Sequence, residues 1–128
     1  MTTALNSGIT ISVDSRYEEK FSNPMAKLFL FSYGISIENK NKSAIQLISR
    51  YWEITDSNTH QRVVEGEGVI GEKPVINPGE SYTYRSSCDL STDMGKMKGY
   101  YVMKNLETGV SFNVEIPEFS LVVPYKLN

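Results

Sequence analysis

Phe29-Leu30-Phe31-Ser32-Tyr33-Gly34-Ile35-Ser36-Ile37 carries a large apolar side chain at every second position, from Phe29 through Ile37. Successive side chains of an extended chain point to opposite faces, so this stretch is a β-strand with one face on a core. The same period of two recurs at Ile9, Ile11 and Val13, at Tyr82 and Tyr84, and at Val110, Phe112, Val114 and Ile116. No window shows apolar residues recurring at helical spacing. Any helix is confined to a short turn near residues 91–94. Turn-forming residues separate the runs: 39–42, Asp56-Ser57-Asn58-Thr59, Pro74, Pro78-Gly79 and Glu107-Thr108-Gly109. Seven to eight strands with turns about every ten residues predict an all-β, antiparallel sandwich of the immunoglobulin or fibronectin type III kind. Tyr82, after Pro78-Gly79, is placed as a tyrosine corner. The run 45–54 is apolar on both faces, which predicts a central strand with the lone Trp52 in the core.

Composition narrows the function classes. The 128 residues suit one domain, 1–128, with residues 1–7 and 125–128 expected to fray. A hydrophobic fraction of 40% and a charged fraction of 22% are those of a globular chain rather than a disordered one. A net charge of -2 lacks the footprint of non-specific nucleic-acid binding, despite the local lysines Lys96, Lys98 and Lys104. One cysteine, Cys88, excludes an internal disulfide and reads as a small core residue. No run approaches the length of a membrane helix and the first residues carry no signal-peptide pattern, so the expected place is the cytoplasm, without membrane insertion.

Chemistry-bearing residues are sparse. Gly66-Glu67-Gly68-Val69-Ile70-Gly71 matches the dinucleotide fingerprint, but prolines follow it and no helix does, which removes the Rossmann reading. What remains is a loop whose Gly66, Gly68 and Gly71 amides would hold a phosphate, pyrophosphate or nucleotide, with Arg62 as a nearby charge. Glu65 and Glu67 share a strand face and are the candidates for a divalent cation such as magnesium or cobalt. The only imidazole, His60, sits at a hairpin tip, and no activated nucleophile accompanies it, so no enzymatic activity is expected. Tyr101 shares a parity with Met97 and Met103 and points inward, which turns Tyr100 outward. Tyr100, with Arg50 and Arg85, is the candidate surface for a protein partner. Exposed sandwich edges also leave room for a homodimer.

Several strings, in this order and spacing, resemble the ApaG family: Arg50-Tyr51-Trp52-Glu53-Ile54-Thr55, the glycine string from Val64 to Gly71, Pro78-Gly79-Glu80-Ser81-Tyr82-Thr83-Tyr84-Arg85-Ser86, Gly95-Lys96-Met97-Lys98-Gly99-Tyr100-Tyr101 and Phe112-Asn113-Val114-Glu115-Ile116-Pro117. The resemblance implies a fibronectin type III-like sandwich and a link to cobalt resistance and magnesium efflux. It also implies use as a protein-interaction module. The expectation drawn is a non-enzymatic binding module that acts on divalent-cation homeostasis indirectly. The alternative is a small-ligand binder with a phosphate or pyrophosphate at loop 66–71.

Overall fold

The computed structural model describes residues 1–127 and contains nine strands. They are β1 (Thr2–Asn6), β2 (Ile9–Tyr17), β3 (Phe29–Asn39), β4 (Ile45–Asp56), β5 (Gln61–Glu67), β6 (Val75–Ile76), β7 (Ser81–Leu90), β8 (Met94–Asn105) and β9 (Ser111–Val122). One sheet has the order β1-β2-β3-β7, the other β5-β4-β8-β9, with the two-residue β6 also on β4. All pairings are antiparallel. The sheets face each other as the alternation predicts. Ile9, Ile11, Phe31, Tyr33, Ile35 and Ile37 of the first meet Trp52, Ile54, Tyr101, Met103 and Val114 of the second. At its centre Trp52 packs edge to face on Tyr33 and Phe119, which tilt against each other, with ring centroids 5.6–5.9 Å apart.

Several expectations are corrected. Residues Thr2–Asn6 form β1 and complete the ladder along β2. At the other end Pro124–Leu127 forms a 3-10 turn, and residue 128 lies outside the described residues. Residues 91–94 form no helical turn. The buried Asp56 carboxylate accepts the Ser91 and Thr92 amides (3.2 and 3.3 Å) and both hydroxyls (3.0 and 2.7 Å). That claims the donors a helical turn would use. Short 3-10 turns occur instead at Glu19–Phe21 and Pro24–Ala26. Tyr82 is no tyrosine corner, since its hydroxyl donates to the Glu72 carboxylate at 3.1 Å rather than to backbone. The fully buried Asn39 ties that end together: its amide donates to the Ser43 and Ile76 carbonyls, both at 2.9 Å, and its side-chain oxygen accepts the Asn41 amide.

The most consequential correction concerns β4. Its register with β8 slips between Leu47 and Ser49, so Ile48 is an extra residue. A bulge reverses the alternation. Ile45 and Leu47 before it and Trp52 and Ile54 after it therefore all face one core, and β4 is not covered on both sides. A second bulge lies where Met97 and Gly99 face Phe119 and Ile116, with Pro117 in the looped-out segment of β9. No helix among the described residues is long and apolar enough to cross a membrane.

Candidate functional site

Strand register decides which face each candidate occupies. Directly opposed residues share a face. Arg50 lies opposite the fully buried Tyr101 on one side and Gly66 on the other, so it points between the sheets rather than outward. Gly66 makes this possible: a Cβ there would stand 3.1 Å from the Arg50 guanidinium. Arg50 Nη1 donates to the carbonyls of Glu67 (3.1 Å) and Gly68 (2.9 Å) and so closes the mouth of the core. Arg85 lies on the outer face of the other sheet, paired with Asp14 at 3.1 Å and donating to Ser32 Oγ across Gly34. Tyr100 is on the outer face of the β5-β4-β8-β9 sheet. The three residues expected to share a partner surface therefore occupy three surfaces.

The glycine string folds back as a hairpin turn on the ladder. Val69 and Glu72 exchange backbone hydrogen bonds of 2.8 and 2.9 Å across Ile70 and Gly71, whose φ values are 42° and 78°. Positive φ at both central residues is the requirement of a type I′ hairpin turn. The Gly68 amide donates to the Ile48 carbonyl at 2.7 Å. Asp56 likewise donates to the His60 carbonyl, and the alternation of an antiparallel ladder then makes Arg50–Gly66 a hydrogen-bonded pair as well. Two of the three proposed amides are thus already committed to the ladder. Arg62 lies opposite Ile54, four residues before Gly66 and roughly 13 Å along the strand. Its Nη2 donates to the Asp89 carbonyl and approaches Cys88 Sγ (3.4 Å) and Asp89 Oδ1 (3.3 Å), away from the loop. Glu67 is paired with Lys73 at 3.4 Å, and the described residues include no group of three or more His, Cys, Asp or Glu placed to hold a metal. The structure therefore supplies Glu65 and Glu67 with no third ligand.

Two arrangements emerge that the sequence reading did not contain. The first is a straight row across the outer face: Glu65 of β5 opposes Tyr51 of β4, Tyr51 opposes Tyr100 of β8, and Tyr100 opposes Glu115 of β9. The tyrosine rings stack at 5.0 Å and 16°. Among the described residues neither flanking carboxylate has an ion pair or hydrogen bond, whereas the neighbouring Glu53, Glu67 and Glu118 are paired with lysines. A depression of about 630 Å³ runs along the row past Tyr51, Tyr100 and Glu115. The second is a cleft of about 270 Å³ between the edge strands β5 and β7, into which Arg50 and Arg62 both project.

Behind that cleft the hydroxyls of Tyr84 and Tyr101 are hydrogen-bonded to each other in the core. Burial raises the pKa of both above the ordinary 10.0, and raises that of Tyr33 as well. A phenol whose folded-state pKa is raised contributes stability that is complete below its unfolded pKa and lost as pH climbs towards the folded one. The urea midpoint is expected to stay level up to about pH 9 and to fall once the pH passes about 10. Tyr101→Phe should make that fall shallower. A midpoint independent of pH over this range would mean the phenols are not held neutral by the fold.

Comparison with known proteins places these features in a family context. The model of the ApaG domain matches residues 19–105. Protein ApaG of Brucella canis is 46% identical over 124 residues, covering 97% of this chain and 95% of that protein. Protein ApaG of Vibrio cholerae is 48% identical over 120 residues, 94% of each. A crystal structure described as an ApaA protein from Bordetella pertussis superposes with a TM-score of 0.87 at 40% identity, covering 91% of this chain and 94% of that one.

Proposed function

The chain belongs to the ApaG domain family, and we propose that it is a non-catalytic binding module whose docking surface is the outer face of the β5-β4-β8-β9 sheet. The partner in this reading is a protein segment that presents arginine or lysine side chains. The observation that carries it is the Glu65-Tyr51-Tyr100-Glu115 row. Stacked phenol faces attract a cation, and unpaired carboxylates at both ends add charge complementarity. The adjacent ion pairs, Glu53 with Lys98 and Glu67 with Lys73, are neutral as pairs and leave the row as the acidic strip of this face. Effects on cobalt and magnesium handling, an expectation drawn from the family resemblance alone, then run through the partner rather than through a metal held by this chain.

The test is an amide NMR titration of the whole chain with a synthetic peptide of alternating arginine and glycine. Saturable shifts are expected at Tyr51, Glu65, Tyr100 and Glu115, weakening as salt is raised. Tyr100→Ala should weaken binding by a few-fold to about thirtyfold, the ~0.5–2 kcal/mol of a cation–π contact. Glu65→Gln with Glu115→Gln should flatten the salt dependence. No saturable shift at millimolar peptide, or shifts confined to another face, would sink the reading.

A further inference from the structure

The cleft between β5 and β7 lies on the core side of β4, and the tyrosine row lies on its outer side. It holds one carboxylate, Asp89, which is 3.3 Å from Arg62. Arg50 has no ion pair among the described residues and is half-buried. Two guanidinium groups against one carboxylate leave a positive charge without a counter-ion in a crevice partly closed to water, where charge compensation is worth more than at the surface. Neither arginine is saturated. Arg50 spends only Nη1, on backbone carbonyls, and Arg62 only Nη2, so among the described residues Arg50 keeps Nη2 and Nε free, and Arg62 keeps Nη1 and Nε. The wall between them carries the Ser86 hydroxyl, and the exposed apolar surface comes from Val64.

We propose that this cleft binds a small organic anion: a molecule with one carboxylate or phosphate group and an apolar body. The planar fork of a guanidinium matches either oxyanion with two parallel hydrogen bonds. Val64 would receive the apolar part. The site is separate from the glycine loop, two of whose three amides serve the ladder. It uses none of the outer-face row, so it stands or falls separately from the docking surface.

The experiment is an NMR titration of the whole chain with benzoate, phenyl phosphate, acetate and benzyl alcohol, at constant chloride. Benzoate or phenyl phosphate should give saturable shifts at Arg50, Arg62, Val64 and Ser86, and whichever saturates at lower concentration identifies the oxyanion. Acetate, which lacks the body, should bind several-fold more weakly. Benzyl alcohol, which lacks the charge, should not saturate. Arg62→Gln should weaken binding at least about tenfold, and Arg50→Gln likewise. Should Arg50→Gln fail to fold for want of its bonds to Glu67 and Gly68, Arg62→Gln carries the test alone. Unchanged affinity in Arg62→Gln, equal binding of benzyl alcohol, or no saturable shift at tens of millimolar probe each overturns the proposal.

Discussion

Trp52→Ala should lower the stability of this domain by about 3–5 kcal/mol, the usual loss when a large aromatic is cut from a packed core. Trp52 is 2% exposed, and its ring meets Tyr33 and Phe119 at 5.6 and 5.9 Å in edge-to-face geometry. The two ring neighbours stand on strands of opposite sheets, β3 and β9, so no single side chain can relax into the space left behind. A domain of this size has only about 5–15 kcal/mol to lose. The variant should therefore unfold at a markedly lower urea concentration, followed by circular dichroism since the indole is gone. Trp52→Phe should recover part of the loss. A Trp52→Ala variant within about 1 kcal/mol of wild type would mean that the two sheets do not pack on this ring.

Gly99→Ala should also be strongly damaging, for a reason that has nothing to do with transfer from water. A Cβ at Gly99 would lie 1.9 Å from the Tyr51 carbonyl oxygen and 3.1 Å from the Trp52 Cα. Both obstacles are backbone of the adjacent central strand, and Gly99 borders the bulge that pairs it with Ile116. A flexible side chain could swing away, but a ladder strand cannot. Overpacking typically costs about 1–3 kcal/mol, and a backbone clash in a central ladder belongs at or above the top of that range. Gly71→Ala is the control. Nothing lies within 4 Å of its Cβ position, and the penalty is only that of φ +78°, about 1–2 kcal/mol. Urea midpoints for the two variants should separate clearly. Equal losses would show that close approach of β8 to β4 is not what demands glycine at position 99.

Those two positions also mark where the sequence was informative and where it was silent. Trp52 could be assigned to the core because its strand is dense in apolar residues, and that assignment does not depend on register. The role of Gly99 depends wholly on the distance to a neighbouring strand, which no local pattern encodes. Arg50 shows the same limit more sharply. It shares its parity with Trp52 and Ile54, so local alternation alone turns it inward. What no local pattern encodes is the room that Gly66 makes for it on the neighbouring strand, or that the bulge at Ile48 sets Ile45 and Leu47 on the same core. The trace of that bulge was present: apolar residues at odd positions, Ile45 and Leu47, give way to Trp52 and Ile54 at even ones. A strand buried on both faces leaves the same trace.

The sequence by itself determined the all-β class, the presence of most of the long strands, the inward direction of Tyr101 and Met103, and the family. These follow from local sterics and from the period of two, which act between near neighbours along the chain. Only the tertiary structure decided which residues stand together. Glu65, Tyr51, Tyr100 and Glu115 come from four strands and form a row only once three registers are set. Arg50 and Arg62 share a cleft only because β5 and β7 are the facing edges of two sheets. Register and sheet packing are settled by the summed burial of a whole core, so a surface assembled by them has no signature in any single stretch of chain.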